Sequence, residues 1–93
     1  MPGTLRIFEP SGRIRDEAYT EKSPPYDQLN AAVGGYIERV PLQGAYSGEE
    51  AFVNEEGAYL GLPLNFHAQL KDRYNRPLRG NLVIVLSKPR SKK

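Results

Sequence analysis

Residues 24–42, PPYDQLNAAVGGYIERVPL, place a short amphipathic helix, a glycine pair and an alternating strand in immediate succession, and that order limits the folds open to the chain. Pro24 and Pro25 suit a first helical turn. Ser23 ahead of them has the side chain of an N-cap, and Asp27 would lie at the positive end of the helix dipole. Tyr26, Leu29 and Val33, with Ala32 beside them, recur at helical spacing and define the expected buried face. Gly34 stands where helices leave through a left-handed residue, a conformation glycine adopts without a Cβ clash. A helix of about ten residues is marginal alone, so packing has to hold it. Gly35 releases the chain into a strand over 36–42. Tyr36, Glu38, Val40 and Leu42 share one face of it, and Ile37, Arg39 and Pro41 the other. Neither face is wholly apolar, and Pro41 belongs at a sheet edge.

The remaining segments supply a sheet for this unit to pack on. Residues 4–8 (TLRIF) alternate as a first strand, and Pro10-Ser11-Gly12 turns the chain into a second strand over 13–19. That second run is highly charged and reads as an exposed edge. Phe52 and Val53 lead into Asn54-Glu55-Glu56-Gly57 and residues 58–60 lead out, a hairpin with Gly57 expected in the left-handed position. Asn65 can cap a second, short helix over 66–74, broken by Asn75-Arg76-Pro77. Residues 81–87 (NLVIVLS) are the most apolar and β-branched run, hence the expected central strand. The fold class is therefore α+β. A single compact domain over 1–87 has about five mostly antiparallel strands, with one main helix and one short helix on one side. Residues 88–93 are expected to be a basic, flexible tail.

Size and composition exclude several function classes. A chain of 93 residues holds one core, and one this short buries only roughly 60–65% of its unfolded surface. Its 39% hydrophobic and 26% charged residues are those of a globular domain. With no cysteine, neither a disulfide nor a thiolate metal site can staple it. No basic region leads a long apolar run at the N-terminus, so no signal peptide is expected. The longest apolar run, Leu82–Leu86, is far below the ~20 residues of a membrane helix. A cytoplasmic protein is the expectation. The net charge of +2 conceals a polarity: residues 1–70 hold five basic against ten acidic residues, and residues 71–93 hold eight basic against Asp72 alone. A uniformly basic nucleic-acid binder would be built differently.

Four segments together carry a resemblance. They are Val33-Gly34-Gly35-Tyr36-Ile37-Glu38-Arg39-Val40, Asn54-Glu55-Glu56-Gly57, Gly61-Leu62-Pro63-Leu64-Asn65 and Gly80-Asn81-Leu82-Val83-Ile84-Val85. This pattern resembles a family of small uncharacterised proteins of phages, plasmids and large DNA viruses. The likeness covers residues 26–86, with the opening LRIFEPSG fitting the family's usual first strand. It implies a genomic context rather than a mechanism. Residues 66–77 and the basic tail look individual to this chain.

Candidate chemistry is sparse. His67 is the one histidine, and no motif supplies a nucleophile or a group to orient it, so a helix-surface histidine is the expectation. Glu49, Glu50, Glu55 and Glu56 lack the loop spacing of a calcium site and read as solvated, with a role against a basic partner as the functional counterpart. Gly34-Gly35 follows a helix rather than preceding one, at the wrong pole for phosphate. No catalytic residue, cofactor or metal is expected. The basic segment offers a tentative nucleotide or nucleic-acid site at Asn65, His67, Lys71, Arg73, Tyr74, Arg76 and Arg79, with Tyr74 interleaved among cations as a stacking platform would be. Such a site predicts binding that weakens steeply with salt and is lost on Arg76→Ala or Arg79→Ala. Six tyrosines suit an interface, and Tyr36, Tyr46 and Tyr59 are the candidates, for a protein partner or a homo-oligomer. The leading expectation is a non-enzymatic accessory protein that binds a host protein; the alternative is the nucleotide- or nucleic-acid-binding module.

Overall fold

The computed structural model describes residues 3–42, 48–65 and 78–86. The described chain forms β1 (Gly3–Phe8), β2 (Ile14–Tyr19), α1 (Tyr26–Val33), β3 (Ile37–Arg39), β4 (Glu50–Asn54) and β5 (Leu82–Leu86). The strands make one sheet in the order β2-β1-β5-β4-β3, with every pairing antiparallel. The apolar run expected at the centre is there. β5 pairs with β1 from Phe8↔Leu82 to Thr4↔Leu86, and with β4 from Phe52↔Val83 to Glu50↔Val85. The charged run at 14–19 is an edge, as expected, and β3 forms the opposite edge.

Both faces of β5 are buried, which explains why its sequence is continuously apolar rather than alternating. On one face Val83 and Val85 join Leu5, Ile7 and Tyr19 beneath Leu29, Ala32 and Val33 of α1. On the other, Leu82 and Ile84 join Phe8, Ala51, Val53, Val40, Leu42 and Leu78. Leu5, Ile7, Leu82, Val83 and Ile84 are wholly buried. The helix thus closes one side of the sheet, and the chain around Val40, Leu42 and Leu78 contributes to the other.

Several local expectations give way. Pro25, not Ser23, is the N-cap residue of α1, and no side chain caps the helix; Gln28 and Leu29 donate their amides to the Pro25 carbonyl instead. Tyr26 is exposed, because only the second turn of this short helix reaches the sheet. The strand expected over 36–42 is regular only at Ile37–Arg39, although the Val40 amide still donates to the Ala51 carbonyl at 2.9 Å. The return strand over 58–60 does not form. β4 has β3 along one side and β5 along the other, so no edge remains for a local hairpin partner. Residues 55–61 instead wind through successive turns, with Leu60 donating to the Glu56 carbonyl and Leu62 to the Gly57 carbonyl. Gly57 is buried there and does not adopt the expected positive φ. The second helix over 66–74 and the tail over 88–93 lie outside the described residues.

Candidate functional site

The end of α1 organises one end of the sheet. Gly34, at φ 80°, turns the chain out of the helix, and the Gly34 and Gly35 amides both donate to the Asn30 carbonyl, at 2.8 and 3.0 Å. The last helical carbonyls need other partners. Asn54, at the end of β4, donates its side-chain amide to the Val33 carbonyl at 3.3 Å, and Asn81, just before β5, donates to the Ala32 carbonyl at 2.9 Å. The Asn54 Oδ1 accepts the Glu56 amide at 2.8 Å, so one buried side chain ends the helix and starts the next turn. Beside it the Glu55 amide donates to the Tyr36 carbonyl at 2.8 Å, one step beyond the Ile37↔Asn54 pair.

A second set of bonds locks the chain that follows. The Asn65 side-chain amide donates to the Phe8 and Gly80 carbonyls at 2.9 and 2.8 Å, and its backbone amide to the Leu78 carbonyl at 2.8 Å. Residues 65 and 78, which flank 66–77, are therefore tied to each other. Gly80 holds φ 73°, a left-handed conformation that calls for glycine, and a Cβ there would crowd the end of the Leu62 side chain at 2.9 Å.

The outer surface of this framework carries two exposed tyrosines. Tyr59 is 88% exposed and Tyr36 64% exposed. With Glu55, Glu56 and Ala58 they line an open depression of about 790 Å³. Among the described residues neither Glu55 nor Glu56 has an ion pair, whereas Glu9, Asp16, Glu17 and Glu50 each have an arginine partner. Those paired acids lie on other parts of the sheet. Across the β1–β2 hairpin, Arg6 bonds Asp16 and holds its carboxyl below the usual range. Arg15 bonds Glu9 and Glu17; its bond to Glu17, and then the one from Gln28 of α1, depress the Glu17 carboxyl. This ion-paired ladder is a structural feature of the edge strand.

The two tentative sites fare differently. Tyr36 and Tyr59, distant in sequence, meet around one depression, and Tyr46 lies outside the described residues. In the basic segment, Asn65 is buried, and its backbone amide is bonded rather than free to face an anion. Arg79 is exposed, with its guanidinium donating to the Leu62 carbonyl at 2.9 Å. His67, Lys71, Arg73, Tyr74 and Arg76 lie outside the described residues. Glu55 and Glu56 are exposed, as the solvated reading expected, but they stand in a turn beside the tyrosines rather than at a hairpin tip. The signal available for that was Asn54, whose side chain can start a turn two residues on. Among the described residues no three His, Cys, Asp or Glu side chains are grouped as a metal site requires, and no helix is long and apolar enough to cross a membrane.

The framework defines a single α+β domain whose turns converge beside the helix C-terminus. The chain belongs to the family described as Domain of unknown function (DUF3846), which matches residues 6–92. That span includes residues 66–77 and nearly all of the basic tail, so the segments that looked individual to this chain lie inside the family match. No curated protein and no solved structure matches the chain.

Proposed function

We propose that this chain is a non-enzymatic accessory protein of a phage or other mobile element, acting in the host cytoplasm by stoichiometric binding to a host protein. The observation that carries this reading is the exposed depression between Tyr36 and Tyr59, mounted on a hydrogen-bonded framework. Largely exposed tyrosine rings contribute little to a core, but they provide large contact area with little side-chain entropy to lose, which is what protein interfaces use. The backbone beneath them is fixed by Asn54 and by the Tyr36–Glu55 bond, so binding would not have to order a loop. The four motifs that carry the family resemblance all contribute to this end of the sheet, and their glycines and asparagines act as its scaffold.

Affinity capture from host-cell lysate followed by native mass spectrometry tests the reading. It predicts a host protein retained in fixed ratio by the intact chain and lost when Tyr36→Ala and Tyr59→Ala are combined. Turnover of a substrate by the purified chain, with no fixed-ratio protein complex, would overturn it.

A further inference from the structure

We infer that the depression between Tyr36 and Tyr59 receives an arginine or lysine side chain from a basic segment of the protein partner. The inference rests on the binding role proposed above and names the chemistry of that contact. Two tyrosines and two glutamates line one open space. A cation within about 6 Å of a tyrosine face is attracted to it, and a carboxylate alongside adds a charge-assisted hydrogen bond. The protein supplies no such cation from the described residues. Arg79 is bonded to the Leu62 carbonyl, Arg39 pairs with Glu50, and Arg6 and Arg15 are bonded to carboxylates on the β1–β2 hairpin. Arg13 and Lys22 flank β2, at the edge of the sheet opposite β3. Glu38, also exposed, lies on the same strand face as Tyr36 and carries no ion pair among the described residues, so it extends the negative surface.

The basic residues 88–93 of this same chain are a competing occupant by charge. The topology places their point of departure badly. Leu86 pairs with Thr4 at one end of the sheet, whereas Tyr36 and Glu55 stand beyond the Ile37↔Asn54 pair at the other. A segment of a different protein has no such constraint.

The test titrates the isotope-labelled full chain with a seven-residue peptide, Gly-Ser-Arg-Lys-Arg-Ser-Gly, while backbone amide resonances are followed by NMR. The inference predicts saturable shifts centred on Tyr36, Glu55, Glu56 and Tyr59, weakening as salt is raised. Affinity should fall about two- to fivefold with Tyr59→Ala and by a similar factor with Glu55→Gln plus Glu56→Gln. These side chains are exposed, so unchanged spectral dispersion elsewhere will show that each variant is folded. No localised shift, or equal shifts with a peptide carrying glutamates in place of the three cations, overturns the inference. So does self-association in sedimentation velocity that is abolished both by Tyr59→Ala and by removal of residues 88–93, which would make the chain's own tail the occupant. If a host protein is captured in fixed ratio by wild type and equally by the glutamine variant, the binding role stands and the cationic contact fails.

Discussion

Asn54 shows how a polar side chain can do more for this fold than its size suggests. It is 5% exposed, and it donates to the Val33 carbonyl while accepting the Glu56 amide. Removing it leaves a helical carbonyl and a turn amide without that partner, beside a core that offers little water. Asn54→Ala should therefore lower unfolding stability by about 1–3 kcal/mol, measured by urea titration. Tyr59→Ala, at a side chain that is 88% exposed, should change it by no more than about 0.5 kcal/mol. Equal losses for the two would mean that Tyr59 has a structural role and would remove it from the proposed surface. Of the three scaffold asparagines, only the turn-starting part of Asn54's role was legible in the sequence. Asn65 was read as a helix cap or ligand, and Asn54 and Asn81 as turn and strand-entry residues. Their partners, Val33, Ala32, Phe8 and Gly80, are contributed by other elements, and a local reading of residue types does not reach them.

Elements were legible where one strong local signal decided them. The β-branched run became the central strand, Gly34 ended the helix in a left-handed conformation, and the charged run became an edge. The failed hairpin at 52–60 has the opposite cause: β4 is claimed on both sides by β3 and β5, and local turn chemistry cannot compete with two full pairings. The edge strand β2 has its own testable consequence. Hydrogen bonds from Arg6 and from Arg15 hold the Asp16 and Glu17 carboxyls below the usual range. A carboxyl depressed in the folded state contributes stability that is fully present above its unfolded pKa, about 4 to 4.5. That contribution disappears as pH falls from there through the folded value. The urea midpoint should thus decline on acidification below about pH 5. Glu17→Gln should be less stable than wild type at neutral pH and show a shallower decline. Parallel curves for the two proteins would assign the acid sensitivity to other carboxylates.

At the scale of the whole molecule, Tyr36, Tyr59, Glu55 and Glu56 stand at the end of the sheet where the family motifs converge, while the excess positive charge of the sequence lies in residues 71–93. From sequence the basic segment and the tyrosines stood side by side as candidates, because solvent exposure of Tyr36 and Tyr59 depends on packing that periodicity does not reveal. The described structure draws Asn65 into the framework and brings the two tyrosines together with Glu55 and Glu56. The most direct measurement is a matched capture from host lysate with two double variants of the full chain, Tyr36→Ala with Tyr59→Ala, and Arg76→Ala with Arg79→Ala. The account predicts that the tyrosine variant loses the partner retained by wild type and that the arginine variant keeps it. Loss of the partner with the arginine variant alone would contradict the account and return function to the basic segment.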